Sequence, residues 1–306
     1  MDIHWDFMGN RIDKYSKLSR RLSHLVVGVA LSLPLSCDTP KDPYFSYPIQ
    51  DFLCYSFSVC TESPRSTRFA ILGDSWTDLI GGANLVWTLR TYLEQAYGFK
   101  LNGATVAGQR IEGVMELGLH YRVIDQSGPD LHYVILSLGG NDLLYNYPLY
   151  TPNLERDRAA LFASIKSGLL RLVRSGNMYK KSRWGGGDLV WIIHGYDYLN
   201  PDNPLSLPSG FNLLGGCRDD FESYGYPPSM VISEVGRNID TFNRMLIQAT
   251  IEEPSLRYVD FRGALGGPPL SHKELLADCI HPNTVGFRIL SEILVRNLDY
   301  ITGHER

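Results

Sequence analysis

The sequence predicts an α/β protein built on a parallel sheet, and three observations predict it. Short apolar runs recur along the chain, among them Phe69-Ala-Ile-Leu72, Tyr133-Val-Ile-Leu-Ser-Leu138 and Leu189-Val-Trp-Ile-Ile193. Segments with apolar positions three and four apart separate these runs, so strand and helix alternate. The runs are apolar throughout instead of alternating with polar residues, as strands covered by helices on both faces require. With 306 residues, 44% of them hydrophobic, the chain can bury a full core. Its length fits one α/β domain preceded by a leader. A net charge of −4 lacks the basic excess of a nucleic-acid-binding protein.

The elements can be taken in order from the N-terminus. Lys14, Lys17, Arg20 and Arg21 precede an apolar run, Leu25 to Leu35, that ends at Ser36-Cys37. A cationic stretch, a short apolar stretch and a small residue predict an export signal over residues 1–37. The run is too short to span a bilayer permanently. Leu33-Pro-Leu-Ser-Cys37 resembles a permissive bacterial lipobox, in which the cysteine is lipidated, although Pro34 departs from it. The expectation is an exported protein, periplasmic, secreted or lipid-anchored at a bacterial membrane through Cys37. Residues 38–67, rich in Pro, Ser and aromatics, read as a tether and irregular entry. The domain proper is expected over residues 68–306.

Within it, Phe69 to Leu72 is the first strand and Leu85 to Tyr97 a helix. Thr105-Val106 lies in a second strand, and Ile111 to Ile124 reads as a second helix. Tyr133 to Leu138 is the clearest strand, with a helix after it over Leu161 to Val173. After the strand at Leu189 to Ile193 comes a loop of about thirty residues, Tyr196 to Pro228, a length that is usually functional or disordered. Ile232, Val235, Ile239, Phe242, Leu246 and Ala249 mark a helix face. Arg257 to Phe261 is the last strand, and Ile289, Leu290, Ile293, Leu294, Leu298 and Ile301 stripe a terminal helix.

In an open parallel sheet reactive groups collect at the carboxyl ends of the strands. Four polar or glycine-bearing segments fall there: Gly73-Asp-Ser75, Gly108 in Thr105-Val-Ala-Gly-Gln, Gly139-Gly-Asn-Asp142, and Asp278-Cys-Ile-His281 before the terminal helix. In this order they resemble the four signature blocks of the SGNH, or GDSL-like, serine hydrolases, over roughly residues 68–301. The resemblance implies a flavodoxin-like three-layer α/β/α sandwich with a parallel central sheet. It implies Ser75 as nucleophile, His281 as its base and Asp278 as the group orienting the imidazole. The Ser75 amide, the Gly108 amide and the Asn141 side chain would form the oxyanion hole, with Gly103 the competitor for the glycine position. A serine hydroxyl needs such an imidazole to take its proton. Trp76 departs from the family pattern, where a smaller aliphatic residue is commoner; it can pack beneath the serine or line an acyl pocket.

The expected reaction is hydrolysis of a carboxylic ester through an acyl-enzyme on Ser75, with a small-molecule or lipid ester such as a lysophospholipid as substrate. A carbohydrate O-acetyl esterase and a catalytically silent surface binding protein are the alternatives. The aromatic segment Tyr145 to Tyr150 suits either an acyl chain or a sugar face. Gly73-Asp-Ser-Trp-Thr-Asp78 also resembles a late motif of haloacid-dehalogenase phosphatases, but the early Asp-x-Asp of that family is missing. No cofactor is implied, and no His or Cys spacing suggests a metal. His194, at a strand end, is the one extra histidine to watch. Besides Cys37, the chain has Cys54, Cys60, Cys217 and Cys279. In an oxidising compartment the simplest pairing is Cys54–Cys60 and Cys217–Cys279, against four unpaired thiols.

Overall fold

The computed structural model describes residues 67–77, 87–203, 205–206, 212–214 and 217–304. The expected leader, nearly all of the expected tether, and Cys37, Cys54 and Cys60 lie outside the described residues. Five strands form one sheet: β1 (Phe69–Gly73), β2 (Leu101–Thr105), β3 (Tyr133–Ser137), β4 (Val190–His194) and β5 (Leu256–Val259). Their order is β2-β1-β3-β4-β5, and all four pairings are parallel. This is the flavodoxin-like arrangement, in which the chain leaves β1 for one neighbour and then crosses to the other, opening a crevice between the ends of β1 and β3.

The helices are α1 (Leu89–Thr91), α2 (Ile111–Glu116), α3 (Leu119–Ser127), α4 (Gly140–Tyr145), α5 (Leu154–Trp184), α6 (Arg218–Ser223), α7 (Val231–Glu252) and α8 (Thr284–Thr302). A π-turn, Tyr92–Ala96, continues α1. Helices α3, α5 and α7 pack side by side on the sheet, while α8 packs against α1 and its π-turn. Every residue of β1 is buried, and β3 and β4 are buried but for their first residue.

Three elements differ from the sequence reading. The helix expected over Ile111 to Ile124 is two helices, because Gly118 turns the chain at φ +62° between α2 and α3. Helix α5 runs well beyond Leu161 to Val173, and its polar C-terminal half is held by buried hydrogen bonds. The Asn177 amide oxygen accepts from the Leu189 amide at 3.1 Å and the Trp191 indole at 2.8 Å. The loop after β4 contains α6 and an antiparallel strand pair, Leu205–Ser206 with Asn212–Leu214. Among the described residues, no helix is long and apolar enough to cross a membrane.

Candidate active site

Three strand ends and the start of α8 converge on Ser75. The serine comes directly after β1 and is partly exposed, while its neighbours Asp74 and Trp76 are buried. Trp76 packs beneath the serine, its ring 4.8 Å from that of Tyr196 and 6.0 Å from that of Phe287 on α8. Of the two roles open to this indole, packing is the one its contacts display.

His281 Nε2 lies 2.8 Å from Ser75 Oγ, and His281 Nδ1 lies 2.7 Å from Asp278 Oδ2. The other carboxylate oxygen of Asp278 accepts the Ile280 amide at 2.7 Å and the His281 amide at 2.6 Å. One carboxylate therefore folds the turn and aims the ring. Burial works against ionisation of Asp278, but the charge and hydrogen bonds of His281 outweigh it and lower its pKa. With Asp278 accepting at Nδ1, Nε2 is the nitrogen free to take the serine proton. Asn283 then caps α8, its side-chain oxygen accepting the Val285 and Gly286 amides at 3.0 Å.

The loop after β4 supports this turn from below. The Asn200 amide donates to the Cys279 carbonyl at 3.1 Å, and the Asn203 side chain donates to the Asp278 carbonyl at 2.9 Å. Sequence reasoning missed these two asparagines; their only signal was the Asn-Pro-Asp-Asn run in an otherwise irregular stretch. Cys217 and Cys279 meet with α-carbons 5.9 Å apart, a separation that a disulfide spans.

The expected oxyanion residues lie on two turns clasped together. Val106 donates its amide to the Gly73 carbonyl at 3.0 Å, and the Gln109 amide closes a turn onto the Val106 carbonyl, also at 3.0 Å. Gly108 sits on that turn at φ +80°, with open space where a side chain would project. Gly103 lies inside β2, where a Cβ would come 2.4 Å from the Ile71 carbonyl oxygen. It serves strand packing, which separates it from Gly108. From the second turn, the Asn141 side chain donates to the Gln109 carbonyl at 3.1 Å, leaving its other N–H available. Asp142 accepts the Ile111 amide at 3.1 Å, satisfying a free N–H at the start of α2. Burial raises the Asp142 pKa, against the Ile111 bond and the nearby Arg110 charge.

Asp74, unremarked as a site residue in the sequence, is the most enclosed acid near the serine, at 1% exposure. Its Oδ1 accepts the Trp76 amide at 3.0 Å and the Ser137 hydroxyl at 2.9 Å, and its Oδ2 accepts the Tyr196 hydroxyl. Burial pushes its carboxyl up to about 6, although these bonds and the charge of His281 pull the other way. His194 is wholly buried, with Nδ1 donating to the Gly195 carbonyl at 2.8 Å and its ring stacked on Phe261. Burial lowers its pKa to about 4, so it packs as neutral imidazole between the Trp76, Tyr196 and Phe261 rings. Tyr147 belongs to an aromatic cluster with Phe221 and Tyr226, Tyr150 packs on the edge of that cluster against Tyr226 while partly exposed, and Tyr145 stays exposed.

Fold and geometry together define a flavodoxin-like α/β/α protein with a serine, a histidine and an aspartate in hydrogen-bond sequence at its switch point. The chain belongs to the GDSL-like lipase/acylhydrolase family, whose family model matches residues 71–289. Hydrolase chemistry on esters is the general activity of that family. A Streptococcus pneumoniae protein provisionally described as a platelet activating factor is similar in structure at 13% identity, covering 83% of this chain and 91% of its own, with a TM-score of 0.50. An acetyl xylan esterase from Geobacillus stearothermophilus, in a variant form, matches at 17% identity over 77% of this chain and 96% of its own, TM-score 0.48. A psychrotrophic esterase from Pseudoalteromonas matches at 15% identity over 77% and 98%, TM-score 0.46. At such identities the likeness is one of fold. No curated protein sequence matches the chain.

Proposed function

We propose that the chain hydrolyses a carboxylic ester through an acyl-enzyme on Ser75. The observation that carries this reading is His281, hydrogen-bonded to Ser75 Oγ on one side and to Asp278 on the other. As Ser75 Oγ attacks the ester carbonyl carbon, its proton passes to His281 Nε2, and the resulting imidazolium faces the Asp278 carboxylate. Negative charge on the carbonyl oxygen is met by the Ser75 and Gly108 amides and the free N–H of Asn141. His281 then protonates the departing alcohol. Water, deprotonated by the same nitrogen, releases the acid and restores the serine.

The substrate we favour is a lipid or lysophospholipid ester, with an O-acetylated carbohydrate as the alternative. The exposed rings of Tyr145 and Tyr150 after Asn141 suit both. This reading also includes an exported chain lipidated at Cys37 and a Cys217–Cys279 disulfide. A ladder of 4-nitrophenyl esters from acetyl to palmitoyl, run beside acetylated xylan, tests it. Turnover that disappears in Ser75→Ala supports the mechanism, and the preferred acyl length decides the substrate. No turnover on any ester by the folded wild type would favour the catalytically silent binding protein.

A further inference from the structure

The two turns that carry Gly108 and Asn141 also bring a cation to the rim of the site. Arg110 comes directly after Gln109, the residue whose carbonyl receives the Asn141 amide, and immediately precedes α2. Tyr145 lies four residues after Asn141 on α4, so the two share a helix face. The Arg110 guanidinium lies over the Tyr145 ring, 5.4 Å from its centre. Tyr145 is 55% exposed and Arg110 is half-buried. Among the described residues, no carboxylate comes within ion-pair distance of Arg110; the Asp142 carboxylate, which feels the Arg110 charge from further off, accepts the Ile111 amide through one oxygen.

A guanidinium resting against an aromatic ring keeps its N–H donors directed away from that ring. It is thereby pre-oriented to grip a planar or tetrahedral anion by two parallel hydrogen bonds. What sets this cation apart from the exposed Arg183, which also lies over a ring, Trp184, is its place on the turn that follows Gly108. We infer that Arg110, oriented by Tyr145, binds an anionic group of the substrate, a phosphate or a carboxylate, close to the ester that Ser75 attacks. The inference rests on the ester-hydrolase reading and narrows its substrate to charged esters. A lysophospholipid phosphate and the carboxylate of an acetylated uronic sugar share this chemistry.

The test compares matched pairs that differ only in the anion. Palmitoyl lysophosphatidic acid is set against monopalmitoylglycerol, and an acetylated methyl glucuronoside against the acetylated methyl glucoside. The wild type should prefer the anionic member in one arm, which names the source of the anion. In Arg110→Gln the anionic-to-neutral ratio of kcat/KM should fall at least tenfold, about 1.4 kcal/mol. The loss should sit in KM, and Arg110→Lys should restore part of it. Tyr145→Ala should lower the ratio less, by freeing the guanidinium from its ring. Equal turnover of both members in both arms, or an unchanged ratio in Arg110→Gln, overturns the inference while leaving the hydrolase reading intact. Failure to hydrolyse any of the four esters would count against that reading instead.

Discussion

The hydroxyl of Tyr196 donates a hydrogen bond to the carboxylate of Asp74, immediately behind the serine. Ser137, at the end of the intervening strand, donates to the same carboxylate. One side chain at the end of β1 thus ties together the exits of β1, β3 and β4. The Asp74 amide adds a bond to the Ser137 carbonyl at 3.0 Å. A nucleophile must be held to within a fraction of an ångström, and this carboxylate is the peg that holds the turn.

The same peg has a signature in pH. The Asp74 carboxyl, pushed up to about 6 by burial, binds its proton more tightly folded than unfolded, where 3.8 applies. Its contribution to stability is full below the unfolded value and is lost as pH rises through the folded one. Asp74→Asn removes that titration and keeps acceptors for Trp76 and Ser137. Urea unfolding of the two proteins from about pH 4 to 7 should show the variant gaining on the wild type as pH rises, by roughly 1–3 kcal/mol across the window. Parallel stability curves would contradict it.

Two glycines separate packing from chemistry. Gly103→Ala would press a methyl 2.4 Å from the Ile71 carbonyl oxygen and should force β1 and β2 apart. Its stability should fall by about 1–3 kcal/mol or more. Gly108→Ala meets open space but must hold φ +80°, a strain of about 1–2 kcal/mol. Because the turn will relax by rotating its amide, the loss there should appear chiefly in kcat. Thermal melts read beside ester kinetics distinguish the two, and a Gly108→Ala protein with wild-type kcat would remove that amide from the oxyanion hole.

The strand ends were legible because buried parallel strands read as unbroken apolar runs, and topology places the residues just past each run at the sheet's carboxyl edge. That placed the four segments at the sheet's edge, and the resemblance to the SGNH hydrolases picked Ser75, Gly108, Asn141, Asp278 and His281 out of them. Asp74 was visible as a letter, but its enclosure was not, since its partners Ser137 and Tyr196 come from other strands far along the chain. The break at Gly118 was hidden because the apolar pattern continues through Leu117 and Leu119 on either side. The long polar end of α5 was missed for the opposite reason: Asn177 makes its tertiary contacts through hydrogen bonds, which periodicity does not record. The support given by Asn200 and Asn203 likewise runs to backbone carbonyls and leaves no pattern.

The proposed Cys217–Cys279 disulfide would join residues 62 apart in the chain, with Cys279 directly after Asp278. A Cys217→Ser, Cys279→Ser protein should lose about 2–4 kcal/mol of stability. It should also show an altered preference for acyl length, because the loop after β4 supports the His281 turn. Denaturant melts and the ester ladder measure both. Unchanged stability, or a peptide map of the protein kept under oxidising conditions with both thiols free, would refute the bond.

Asn141→Ala should lower kcat by about 10²–10³ with little change in KM, the effect of removing one oxyanion donor. Gln109→Ala, which keeps the carbonyl that the Asn141 amide reaches, shows what the neighbouring side chain contributes. A comparable drop in Gln109→Ala would assign the effect to side-chain packing at the turn and not to the Asn141 donor.

Whether Ser75 is a nucleophile activated by His281 is tested most directly with a fluorophosphonate. Such a reagent is attacked only by an activated serine and leaves a stable phosphonyl group on it. Intact mass should show one adduct per chain, and peptide mapping should place it on Ser75. Ser75→Ala should take up none, and His281→Ala should react slower by orders of magnitude. Labelling at another residue, or equal labelling of wild type and Ser75→Ala, would contradict the assignment of Ser75.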